Sequence, residues 1–136
     1  MPANSIPHKR TRVAHSSEIA EDYVEAIRDV MQTGVCRAVD LVKHFGVSAV
    51  TVNRTLARLQ RDGLVETTAY GPIELTGAGE KLADFAKMRH QVVIDFLVAL
   101  GVSPATALID SEGMEHHVSR ETLQAMKGFL ATKQHS

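Results

Sequence analysis

The stretch HFGVSAVTVNRTLARL, His44 to Leu59, decides how this chain is read. Gly46 interrupts an apolar-periodic run at a point where the chain must turn, because glycine alone takes positive φ without steric cost. Ser48 follows as a helix N-cap, its hydroxyl placed to accept an otherwise orphaned N–H of the next turn. Beyond it, Val52, Leu56 and Leu59 recur at helical spacing and face inward. Thr51, Arg54, Thr55 and Arg58 fall on the opposite face. Just upstream, Ala38 to Phe45 reads as a short helix with Val39, Leu41, Val42 and Phe45 as its apolar content. Helix, glycine turn, then a helix with a small polar and basic outer face is the pattern of a helix-turn-helix, whose second helix enters the major groove of DNA.

Working outward, two β-rich runs follow Gly63: Leu64 to Tyr70 and Ile73 to Thr76, separated by Gly71-Pro72. Such runs around a Gly-Pro pair predict a hairpin. A helix-turn-helix followed directly by a hairpin is a winged helix. Upstream, Ile19, Tyr23, Ala26, Ile27, Val30 and Met31 form one apolar stripe, so a helix is expected from Ser17 to Gly34. Residues 1–16 mix Pro, Asn and Ser with Lys9, Arg10 and Arg12 without periodicity, and are expected to be a flexible basic arm able to touch DNA phosphate.

The remainder of the chain is helical by pattern. A long helix is expected from Gly77 to Leu100, ended by Gly101. Ser103-Pro104 is an N-cap with proline at the first helical position, and Ser119 caps a last amphipathic helix. This apolar content exceeds what three small helices need, so self-association is expected. The expected fold is mainly α: an arm over 1–16, a winged helix-turn-helix over 17–76 and a helical domain over 77–136.

Composition narrows the class. The chain has 136 residues, 44% of them hydrophobic, and no run near the roughly 20 apolar residues of a membrane span. No apolar stretch follows the N-terminal basic residues, so no secretory signal is read, and the single Cys36 fits a cytoplasmic protein. With 4% aromatic residues and no Trp, the composition argues against stacking platforms for single-stranded nucleic acid. The net charge of -1 hides a segregation. Arg37, Lys43, Arg54, Arg58 and Arg61 stand against Asp40 alone, whereas Glu18, Glu21, Asp22, Glu25 and Asp29 stand against Arg28. One face suits phosphate and another suits a cation.

Three clusters carry the chemistry for that cation. Asp22 and Glu25 are three apart on the first helix and share a face. His90 lies near the apolar stripe of the long helix, beside Arg89. Glu112-Gly113-Met114-Glu115-His116-His117 places Glu112, Glu115 and His116 on one side of the next helix. Taken singly, the first two clusters fit a solvated helix face or a structural histidine as well as they fit ligands, and spacing alone leaves convergence open. If they converge, four carboxylates and two imidazoles without thiolate suit Mn²⁺ or Fe²⁺. The charge and the number of ligands suit two ions per subunit.

The chain resembles the manganese-regulator branch of the DtxR family of metal-dependent repressors. The matching stretches are EDYVEAI (Glu21 to Ile27), the helix-turn-helix quoted above, LTGAGEKLA (Leu75 to Ala83), RHQVVIDFL (Arg89 to Leu97) and EGMEHHVS (Glu112 to Ser119). The resemblance implies a winged-helix domain joined to a helical dimerisation domain, with metals held by Asp22, Glu25, His90, Glu112, Glu115 and His116. His117 is not a ligand in that pattern. Iron-sensing relatives typically carry Met at the position of Asp22 and Cys at that of Glu112, and carboxylates at both give up the soft sulfur that favours Fe²⁺. The expectation is a homodimer that binds a palindromic double-stranded DNA operator when its manganese centre is filled, with Ser48, Thr51, Asn53, Arg54 and Arg58 on DNA and Tyr70 near the wing tip. An iron or dual response is the nearest alternative. A regulator answering to an organic ligand, and a small binuclear metallohydrolase, are the alternatives from other classes. Val50 departs from the proline frequent at that position in relatives, so base preference does not transfer.

Overall fold

A computed structural model describes the backbone of residues 2–68 and 71–134, with side chains over 17–68 and 71–133. The elements run α1 (Pro2–Met31), α2 (Ala38–Phe45), α3 (Ala49–Arg61), β1 (Val65–Thr67), β2 (Ile73–Leu75), α4 (Gly77–Ala99), α5 (Pro104–Met114), a 3₁₀ turn (Glu115–His117) and α6 (Arg120–Gln134). The chain divides into two compact units, Met1–Phe85 and Ala86–Ser136. No described helix is long and apolar enough to cross a membrane.

In the first unit, Ile27 of α1, Leu41 of α2, Val52 and Leu59 of α3, and Val65 and Ile73 of the hairpin close one core. Ile27, Leu41 and Leu59 are fully buried, and each contributes about 1.5–3 kcal/mol on leaving water. Tyr23 stacks on Phe45 with ring centroids 4.4 Å apart, joining α1 to the end of α2. Asp40 accepts the Arg37 N–H at 2.9 Å, which starts α2. Gly46 ends it at φ 65°, its N–H donating to the Val42 carbonyl at 2.9 Å. Ser48 Oγ then accepts the Thr51 N–H at 3.1 Å and starts α3. The turn and the cap that decide the helix-turn-helix are both present.

The two strands pair antiparallel, with Val65 opposite Leu75 and Thr67 opposite Ile73. The Ile73 N–H also donates to the Cys36 carbonyl at 2.8 Å, so the loop before α2 pairs with β2. Thr76 Oγ1 donates to the Gly63 carbonyl and accepts the Gly79 N–H, clipping the start of α4 to the end of α3. Arg28 of α1 pairs with Asp84 and lies 3.8 Å from Glu80. These contacts tie the first half of α4 to the winged helix, and the compact units divide after Phe85.

The second unit packs Val93, Leu97, Ala107 and Met126 into a smaller core, with Phe96 edge-on to Phe129 at 5.4 Å. Ser103 and Ser119 cap α5 and α6 as expected, accepting the N–H groups of Thr106 and Thr122.

Two expectations about helix limits change. Helix α1 starts at Pro2 rather than Ser17, with proline at the first helical position, where its missing N–H costs nothing. The side chains of the expected arm, and Tyr70 at the wing tip, lie outside the described residues. The motif Glu112 to His117 is not one helix, since α5 stops at Met114 and the chain tightens into the 3₁₀ turn. Val118 is already extended (φ −82°, ψ 124°), because the chain must leave α5 before Ser119 caps α6.

Candidate metal centre and nucleic-acid interface

His90 and Glu115 meet across 25 positions of sequence, His90 Nδ1 bonding Glu115 Oε2. The other carboxylate oxygen lies 3.6 Å from His116 Nε2. Glu115 is only 7% exposed, and a buried carboxylate is costly unless it is paired. The two imidazoles supply the pairing. Behind them Arg89, also buried, directs Nη2 at His116 Nδ1 at 3.3 Å. Helix α4 positions the Arg89-His90 pair, and the 3₁₀ turn places Glu115 and His116 side by side opposite them.

Of the six residues expected to hold metal, His90, Glu115 and His116 are thus brought together. Glu112 is exposed on the last turn of α5. Asp22 and Glu25 belong to α1 in the other unit, the first exposed and the second half-buried. Among the described residues, no three His, Cys, Asp or Glu side chains are arranged as ligands of one ion; the grouped ones bond to each other instead. The donor set itself fits a divalent ion of hard to borderline character: a buried carboxylate flanked by two imidazoles, with no sulfur. The sole cysteine is remote in sequence from these residues and buried in the core of the first unit.

On α3, Thr51, Asn53 and Arg54 are exposed and Arg58 is half-buried. Ser48 engages its hydroxyl locally, accepting from the Thr51 backbone and donating to Thr51 Oγ1 at 3.0 Å. Asn53 lines a groove of about 640 Å³ between α3 and the hairpin, together with Gln60 and Thr67. Sequence reasoning missed one feature here. Gln60 in that groove has no periodic signal. Val50, 65% exposed on the first turn of α3, was legible only as a departure from a relative's proline.

Two family models cover nearly all of this architecture. Residues 15–73 match the N-terminal DNA-binding domain of iron-dependent repressors, and residues 76–136 match their metal-binding and dimerisation domain. A transcriptional regulator MntR of Escherichia coli O6:H1 is 48% identical over 122 residues, covering 89% of this chain and 79% of its own. The chain belongs to the MntR branch of the DtxR family. A second MntR regulator, from Salmonella typhimurium, is 46% identical over 128 residues, covering 93% of this chain and 80% of its own. A solved manganese-dependent transcriptional repressor in complex with manganese superposes with a TM-score of 0.71 at 28% identity, over 82% of this chain. The chain spans about half of that structure's length, 52%. DtxR-family proteins are metal-dependent DNA-binding repressors, which sets aside the hydrolase alternative.

Proposed function

We propose that the protein is a manganese-responsive repressor that binds a palindromic operator as a homodimer in the cytoplasm. The observation that carries this reading is the buried Glu115 held between His90 and His116 in a donor set without sulfur. Asp22, Glu25, His90, Glu112, Glu115 and His116 would hold two ions per subunit. Bound there, a divalent ion supplies the positive charge that cancels repulsion among the four carboxylates. Asp22 and Glu25 stand on the helix that precedes the helix-turn-helix, whereas the other four stand on α4, α5 and the 3₁₀ turn. An ion shared by both sets would narrow the arrangements open to the DNA-reading unit. A dimer whose α3 helices already match successive major grooves, about 34 Å apart, loses less entropy on docking. The gain is bounded by the difference in metal affinity between the docked and free arrangements.

On the DNA, Thr51 and Asn53 would face base edges and Arg54 and Arg58 the phosphates, with Ser48 holding the start of α3 in place. Fe²⁺ is the second reading, favoured by the iron-dependent name of both matching family models. Operator binding titrated anaerobically with Mn²⁺, Fe²⁺, Zn²⁺ and Co²⁺ tests both. Mn²⁺ should tighten binding most, and binding unchanged by chelation would overturn the sensor reading. Asp22→Met should move the preference toward Fe²⁺.

A further inference from the structure

We propose that Arg89 sets the metal threshold of this centre by occupying the His116 lone pair that ligation requires. The inference rests on the sensor reading above, but its argument starts from a contact the fold already makes. Guanidinium carries five N–H donors and no acceptor. Its 3.3 Å contact with His116 Nδ1 therefore fixes Nδ1 as the acceptor. A neutral imidazole has one lone pair and one N–H, so the proton sits on Nε2. That nitrogen faces Glu115 Oε1 at 3.6 Å, where a carboxylate welcomes an N–H. The chain of polar contacts runs from Arg89 through His116 and Glu115 to His90, with Arg89 Nε buried and left without a hydrogen-bond partner.

Metal ligation by neutral His116 breaks this order whichever nitrogen is used. At Nδ1 the guanidinium must be displaced outright. At Nε2 the proton must move to Nδ1, where it would point at an arginine N–H. Arg89 cannot adapt by rotating, since every polar atom it can present is a donor. It is also buried, at 5% exposure, so its head group does not drift into solvent when the contact is lost. Arg89 is thus a positioning residue that holds His116 in its unligated tautomer, and ion uptake must work against it. A sensor built this way answers only when the ion is abundant, although its carboxylate-rich ligand set alone would respond sooner.

The test compares the wild type with R89Q and R89K. Glutamine can offer its carbonyl to a protonated Nδ1, so R89Q removes the competition, whereas lysine keeps a donor-only group and restores it. Mn²⁺ titrations should show R89Q binding roughly ten-fold tighter or more, on the scale by which outer partners of metal-ligating histidines alter affinity, with R89K close to wild type. A role confined to packing would weaken both variants. Independently of metal, long-range ¹⁵N spectra of the wild type should report His116 protonated on Nε2, and this readout stands even if R89Q folds poorly. His116 protonated on Nδ1, or R89Q loading Mn²⁺ no more tightly than a wild type that loads it, would overturn the competition alone. A wild type that takes up no Mn²⁺ would overturn the sensor reading and the competition with it.

Discussion

An ideal Cβ built on Gly79 would lie 2.1 Å from the carbonyl oxygen of Leu64. The first turn of α4 therefore sits directly on the chain leaving α3, at a distance no side chain permits, and the Thr76 clip holds it there. Alanine is the better helix former by about 1 kcal/mol, yet overpacking against backbone costs roughly 1–3 kcal/mol and often more. Gly79→Ala should lower unfolding stability in urea. An unchanged midpoint would show that α4 shifts away freely.

Ser48 separates stability from DNA affinity. Ser48→Ala removes the acceptor of the Thr51 N–H and should cost about 1 kcal/mol of stability. Ser48→Asp caps equally well but adds a negative charge at the start of α3. It should keep the unfolding midpoint and weaken operator binding. Equal losses in both assays would mean that the cap, not the charge, governs affinity.

Arg54 is exposed on α3 beside the residues assigned to base edges. Arg54→Gln should weaken binding to all duplex sequences alike and reduce the slope of log affinity against log salt by about 1, as expected for one phosphate contact. A loss confined to the cognate operator would assign Arg54 to base reading instead.

Glu115→Gln keeps the shape of the side chain and an acceptor for His90 but removes the buried negative charge. Manganese affinity should fall by at least the roughly 10–100-fold typical of changes around metal-ligating side chains. Operator binding should lose its response to Mn²⁺ while the far-UV spectrum stays native. Retained uptake measured by calorimetry would remove Glu115 from the ligand set.

Burial first, and the nearby charge of Asp40 second, push the Cys36 thiol from 9.0 up to about 11. The folded protein should therefore resist alkylation near neutral pH and react only once unfolded. The unfolded thiol ionises first as pH rises, so this contribution to stability is complete below about pH 9 and is lost as pH passes through about 11. Unfolding midpoints that do not fall over that window would contradict the assignment.

The helix-turn-helix was legible because its signals are local. A glycine at Gly46, a serine at Ser48 and the Val52, Leu56, Leu59 stripe each act within a turn or two of themselves. The hairpin and the caps at Ser103 and Ser119 follow the same logic. His90 and Glu115 were legible as ligand types, but their meeting is tertiary, and only the family resemblance implied it. The break at Glu115 escaped because no glycine or proline stands there, and the chain only tightens from α5 into a 3₁₀ turn. Arg89 stood out even less. A basic residue beside an apolar stripe reads as surface, and only the partner at His116 explains its burial.

The hydrogen bond from Ile73 to the Cys36 carbonyl has a consequence for how such a protein tolerates insertions and deletions. The paired residues Val65 to Thr67 and Ile73 to Leu75 set the register of the hairpin but not the length of chain that joins them. The connector from Gln32 to Arg37 has no such latitude. One residue more or fewer there would turn the Cys36 carbonyl away from Ile73 and carry its side chain out of the core, since backbone pairing alternates faces with a period of two. Length variation among natural or engineered versions should therefore collect at the tip and be purged from the connector.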